Sequence, residues 1–216
     1  MGMQLATQTY LTQVINWPAT GKHILAQFDA NSVVVYQAYR AEIGNFAASK
    51  GYFGGEFSLT RMSWIKTNFL WMMYRSGWGT KTGQEIILAV TIKRMAFDEI
   101  LAKAVHSIFI PTIYNTQEEW KEVAKRSLVR LQWDPDRNPM GEKLERRAIQ
   151  LGMRGEILRN YSRDWIVKIE DITDFVQQQR SYREPSQWTN LITPRENIYP
   201  VNNFQLIKQL GLSIPD

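Results

Sequence analysis

Three tryptophans, one tyrosine and four basic residues, with no acid among them, fall within the 21 positions from Arg61 to Lys81. In order they are Arg61, Trp64, Lys66, Trp71, Tyr74, Arg75, Trp78 and Lys81. Aromatic rings offer faces on which a planar base stacks, and fixed cations meet phosphate oxygens. The ligand such a stretch suits is both planar and anionic, which describes a nucleotide or an RNA end. Arg75 follows Trp71 by four residues and precedes Trp78 by three, so a helix would bring cation and rings onto adjacent turns of one face. The same spacing suits a plainer arrangement in which Trp71, Met72 and Trp78 are core and Arg75 lies over them.

Other chemistries find little support. The chain has no cysteine, which removes disulfides, thiolate metal ligands and a cysteine nucleophile. Its two histidines, His23 and His106, stand far apart without a motif, against a His-rich zinc site or a Ser-His-Asp triad, and both read as structural. No Gly-x-Gly-x-x-Gly occurs, and Gly77, Gly79 and Gly83 lack the Lys-Ser/Thr pair of a P-loop. Lys66-Thr-Asn-Phe is not the Lys-x-Asp-Gly of a covalent nucleotidyl ligase. Asp134 with Asp136, or Glu170 with Asp171, lack a third ligand at motif spacing, so no metal is predicted.

The elements that must position these residues follow from periodicity. Ser32–Tyr39 is a β-branched run with aromatics and reads as a strand, with Val33, Val35 and Gln37 on one face and Val34, Tyr36 and Ala38 on the other. Gln37 is its oddity, because a buried amide demands partners. A helix is expected over 40–50, stopped by Gly51, and a second strand over 61–66. Thr67 or Asn68 would then cap a helix running through Trp71 and Tyr74 to Gly77. Strands are expected at 85–92, 128–133, 147–152 and 165–172, and helices at 96–105, 117–125 and 155–163. Asp134 to Pro139 reads as a turn-rich loop, and residues 3–22 as a loosely packed lead-in with a turn at Pro18 to Gly21.

This order predicts an α+β protein, a single domain with a mixed or antiparallel sheet and flanking helices. The domain is expected over 1–176, with 177–216 a polar extension lying on the body, and Met1-Gly2 is consistent with a vector-derived scar. At 216 residues, 44% hydrophobic and 22% charged, the composition is globular, and the net charge of +5 is compatible with a polyanionic partner. No run spans a bilayer and no secretory signal is visible, so a cytoplasmic protein without a membrane association or an obligate protein partner is expected.

Tyr36-Gln-Ala-Tyr39, Trp64-Ile-Lys66 and the run from Phe69 to Trp78 resemble the signature of the family catalogued as domain of unknown function 4291. The likeness continues through Gln132 to Pro135, Ile149 to Gly152 and Trp165 to Thr173, covering residues 20 to 176. Where the usual pattern has Pro-Ser after Trp-Ile-Lys, this chain has Thr67-Asn68. The family carries no assigned activity, but its element order looks like that of ADP-ribosyltransferases, in which NAD lies across the first strands. That likeness implies NAD as cofactor, with Gln150, Gln37 and Tyr36 in catalytic positions. Arg61, Trp64, Lys66, Trp71, Tyr74, Arg75, Trp78, Lys81 and Arg147 would be the cofactor-binding set. Gln150 hydrogen-bonds but cannot be a general base, so an already nucleophilic acceptor or RNA-phosphate processing would suit it better. The alternatives are a non-enzymatic RNA-binding module on the same 61–81 surface and a structural or partner-binding domain.

Overall fold

The computed structural model describes residues 5–213; Met1-Gly2 lies outside them. The strands are β1 (Thr7–Thr9), β2 (Leu25–Ala26), β3 (Ser32–Tyr39), β4 (Ser63–Lys66), β5 (Ile86–Lys93), β6 (Ala104–His106), β7 (Val129–Arg137), β8 (Lys143–Met153), β9 (Ile166–Asp171), β10 (Ile192–Pro194) and β11 (Asn197–Ile198). The helices are α1 (Tyr10–Val14), α2 (Ala41–Lys50), α3 (Phe69–Ser76), α4 (Arg94–Ala102), α5 (Gln117–Arg126), α6 (Gly155–Ser162), α7 (Thr173–Arg180) and α8 (Phe204–Leu210).

Seven strands form one mixed sheet in the order β6-β7-β8-β4-β3-β5-β9, antiparallel throughout except for the β6–β7 pair. The protein is therefore α+β. The central strand β3 buries both faces, which is why its sequence is a β-branched run rather than a polar alternation. Val33 and Val35 enter one core with Ile65, Leu88 and Leu151, covered by Phe97 and Ile100 of α4 and by Leu158 and Tyr161 of α6. Val34 and Tyr36 enter the other core with Ile87 and Ala89, covered by Phe69, Leu70 and Met73 of α3 and by Val176 of α7.

β3 and β4 share one register position, Tyr36 opposite Lys66, whereas β3 pairs with β5 along its whole length. Beyond that position the two strands part, and the sheet opens between the end of β3 and the start of β4.

Several expectations are corrected. Within the described residues, from Leu5 onward, the lead-in is ordered: β1 pairs with β10, and Tyr10, Gln13 and Trp17 are buried. The helix expected over 96–105 ends at Ala102, and Val105 belongs to β6, which finds its partner in β7. β7 continues through Pro135 to Arg137, because β8 supplies hydrogen-bond partners that override the local turn chemistry. β9 is not the last strand. The residues after 176 form β10, β11 and α8 and bury Leu191, Tyr199 and Leu210, so this segment is part of the core. No described helix is long and apolar enough to cross a membrane.

Candidate functional site

The opening between β3 and β4 is a cavity of about 420 Å³, whose lining includes Gln37, Tyr39, Arg61, Trp64, Lys66 and Arg75. Each arrives from a separate local cause. Asn68 caps α3 by accepting from the Trp71 backbone N–H at 2.8 Å, which starts the helix directly after β4 and sets Lys66 and Arg75 on adjoining elements. The Glu196 carboxylate accepts from the Phe69 N–H at 2.6 Å and from the Asn68 amide at 3.2 Å. Glu196 is in turn held by its own N–H donating to Gln13 at 2.9 Å and by its carbonyl accepting from the Trp17 indole at 2.9 Å. The lead-in and the C-terminal segment thus fix the start of the helix that carries Arg75.

Gln37 is buried and engaged by protein on both ends of its amide. Its nitrogen donates to the Tyr39 hydroxyl at 2.8 Å, to Ser63 Oγ at 2.9 Å and to the Trp64 carbonyl at 3.0 Å, and its oxygen accepts from the Tyr161 hydroxyl at 2.7 Å. It bridges the parted strands and shapes the wall of the cavity.

Lys66 is the electrostatic anomaly. Its side chain is 6% exposed, and its Nζ has no hydrogen-bond or ion-pair partner among the described residues. Instead it lies 4.9 Å from the centre of the Trp71 ring. Burial, and then the Arg75 guanidinium, lower its pKa to about 7, with Asp134 opposing them weakly. Such a lysine titrates in the neutral range, not well above it. Three enclosed polar atoms without partners, Tyr36 Oη, Thr67 Oγ1 and Trp71 Nε1, belong to its register partner, its chain neighbour and its ring contact. Orphaned polar atoms in such a cluster are rare and mark a place where a partner is due.

Of the predicted residues, the structure brings Gln37, Arg61, Trp64, Lys66 and Arg75 to one cavity. Tyr36 is fully buried in the core, and its phenol is held protonated by burial. Gln150 is opposite Lys66 in the β4–β8 ladder and donates to Asp134 at 2.6 Å; Gln132 donates to the same carboxylate at 3.0 Å. Gln150 therefore supports the carboxylate behind Lys66 and is not part of the cavity lining. Trp71 is buried against Lys66, and Trp78 is buried against Phe69, its indole donating to the Pro139 carbonyl at 3.3 Å. The expected alignment of Arg75 with Trp71 and Trp78 fails because α3 stops at Gly77, and Trp78 itself takes the left-handed φ of 56°. Tyr74 stacks with Arg137, whose guanidinium carbon is 3.7 Å from the ring centre, and Lys81 donates to the Arg75 carbonyl at 2.9 Å. Arg147 lines a different depression, with Lys22.

Tyr39, Ser63, Met72 and Gln84 also line the cavity and were not singled out from the sequence as site residues. Tyr39 was visible as the end of an aromatic-flanked strand; the others carry no signal at the level of residue type. Among the described residues no cluster of three or more His, Asp or Glu side chains is placed to hold a metal ion. Asp136 is committed to Arg146 in a buried ion pair at 2.5 Å.

A family profile, domain of unknown function (DUF4291), matches residues 23–199. The chain belongs to the DUF4291 family. The match reaches past the expected boundary at 176 and takes in Glu196, in agreement with the structural part this residue plays. No curated protein matches the chain in sequence.

Proposed function

We propose that this DUF4291 protein is an enzyme acting on a nucleotide or an RNA end, with Lys66 as its proton-transfer group and Arg61 and Arg75 as its phosphate clamp. The observation that carries this reading is the near-neutral, unpaired amine of Lys66 on a concave cavity beside two cations that have no acidic partner. A lysine titrating near the working pH is matched to general acid–base work. The cavity also falls in the volume range of small-molecule sites.

ADP-ribosyl transfer from NAD is the specific reaction proposed, and RNA-phosphate processing its relative. The residues fit NAD in kind: Arg61 and Arg75 line the cavity without an ion-pair partner, Arg75 donating only to the Gln84 side chain at 3.3 Å, and suit a pyrophosphate. NAD, when bound, would supply a glycosidic carbon with nicotinamide as leaving group. Lys66 as the free amine takes the proton from an acceptor hydroxyl, the general-base role that Gln150 cannot fill. Arg75 lowers the proton affinity of that amine and faces the ligand's negative charge.

A thermal-shift and calorimetric panel of NAD, ADP-ribose, ATP and 5′- or 3′-phosphorylated RNA tests this reading. Stabilisation by at least one of these ligands, lost in Arg75→Ala, is the expected result. With label from NAD or turnover of the RNA end as readout, the rate should rise with pH through an apparent pKa near 7. Lys66→Met should abolish that rise, and Lys66→Arg, which cannot become neutral, should not restore it. Absence of any ligand response in the wild type, or one indifferent to both Arg75→Ala and Lys66→Met, would overturn the proposal.

A further inference from the structure

The cavity does not end at Trp64. A second depression of about 500 Å³ shares Met62 and Trp64 with it, and a third of about 530 Å³ shares Ser107 and Gln132 with the second. The three are contiguous, passing from the parted strands β3 and β4, beside α5, to the edge of β7 beyond its last pairing with β6 at Leu131. Lys121, Lys125 and Arg130 line the second depression, and Lys22 and Arg147 line the third. No Asp or Glu lines either.

These cations are unpaired. The ion pairs among the described residues engage Arg40, Lys103, Arg126, Arg146, Lys168 and Arg183, and none of the five groove cations. Arg130 carries an enclosed guanidinium nitrogen with no acceptor, and Arg154 beside it is a second positive charge. The glutamates of α5 balance its cations in number but do not line the depression, so the charge facing the groove is positive and suits an anion.

The groove's tryptophans are held by their edges. The Trp120 indole donates to the His106 carbonyl at 2.9 Å, and the Trp133 indole donates to the Leu210 carbonyl at 2.9 Å. With their N–H groups committed and their rings half-buried along the groove, they add stacking surface and no further donor.

We propose that the three depressions form one track for a single-stranded nucleic acid, whose terminal nucleotide sits in the Lys66 cavity. This inference rests on the function proposed above and names its substrate class. Cations alternating with indole surface match a strand whose bases are unstacked and free to lie on aromatic rings. A duplex keeps its bases stacked inside and would leave the tryptophans without a role.

The test is fluorescence anisotropy on the full chain, using labelled single-stranded RNA of about twelve nucleotides, the DNA equivalent, duplex RNA and heparin as competitors. ADP-ribose calorimetry serves as a separate probe of the Lys66 cavity. The paired change Lys121→Glu with Lys125→Glu alters exposed positions of α5, so the fold is expected to survive, with circular dichroism as the check. It should weaken single-strand binding by about tenfold or more, leave ADP-ribose affinity unaltered, and flatten the salt dependence. Arg147→Glu should act in the same direction from the far end of the track. Single-strand binding untouched by both changes, or duplex and heparin competing as well as single strands, overturns the track. Loss of ADP-ribose binding in the wild type, with single-strand binding still sensitive to α5, would sink the cavity reading alone and leave the track as a binding surface.

Discussion

Lys66 shows how one side chain acquires its chemistry from its surroundings. As a residue type in a basic stretch it is a phosphate-binding cation; enclosed against Trp71 and beside Arg75 it becomes a group poised near neutrality. The stability consequence has a definite sign. Its folded pKa lies below its unfolded one, so between pH 7 and 10.5 the unfolded chain binds the extra proton and the folded state gains stability as pH rises. Below that window both states are protonated and the full cost of the buried ammonium is borne. Lys66→Met removes this cost. Urea denaturation should find the variant more stable than wild type by on the order of a few kcal/mol under mildly acidic conditions. The gap should close toward alkaline pH; a gap constant with pH would mean that the lysine titrates normally in the folded protein.

At the level of elements, the junction of β4 with α3 is held from a distance. Glu196 is fully enclosed, and burial raises its pKa well above the usual carboxylate value, although the Phe69 N–H that it caps pulls the other way. For an acid with a raised folded pKa, stability is greatest at low pH and declines as pH climbs past its ordinary value. Glu196→Gln keeps an acceptor for the Phe69 N–H without a charge but turns a donor toward the Asn68 amide. Its melting temperature relative to wild type should therefore rise from pH 4 to pH 8. Glu196→Ala leaves that N–H and the Asn68 amide without their acceptor and should cost about 1–3 kcal/mol throughout. A difference between Glu196→Gln and wild type that stays the same from pH 4 to pH 8 would mean that the folded state does not raise the pKa of Glu196. The β8 glycine opposite Trp64 offers a second test. A methyl group on Gly152 would stand 2.7 Å from Met62 Sδ and 2.8 Å from the Trp64 ring, so Gly152→Ala must displace the two residues shared by the Lys66 cavity and the groove. Weaker binding of the pocket ligand and of single-stranded RNA together, about fivefold each for a loss of about 1 kcal/mol, is expected in titrations. Unchanged affinity for both would show that Trp64 is no part of either site.

The whole molecule depends on its two ends meeting. β1 pairs with β10 and β2 with β11, and Gln13 and Trp17 hold Glu196 against α3. A chain cut after residue 176 therefore loses a helix cap, two strand partners and the buried Leu191, Tyr199 and Leu210. Losing three large buried side chains, at about 1.5–3 kcal/mol each, together with the cap and the strand pairs, is comparable with the whole stability of a typical domain. Such a chain should lack a cooperative melting transition in calorimetry, whereas a polar appendage could be removed without effect.

Strand β3, helix α2 with its Gly51 stop, and the β4–Asn68–α3 junction were legible in the sequence, because β-branched runs, helix caps and left-handed glycines act over a few residues. So was the gathering of cations with aromatics between 61 and 81. The sequence could not separate the aromatics facing a ligand from those in the core: Trp71 and Trp78 are buried, Trp64 lines the cavity, and all three are tryptophans in one short stretch. Nor could it show that β7 runs through Asp134-Pro135, since a strand's partner outweighs local turn preference. The ADP-ribosyltransferase likeness made Gln150 a catalytic candidate; only the tertiary structure shows that its amide donates to Asp134 across the ladder. Local propensity determines where helices and strands begin and end; burial and cross-strand neighbours, set only when distant segments meet, determine which lysine has its pKa lowered and which tryptophans line the cavity.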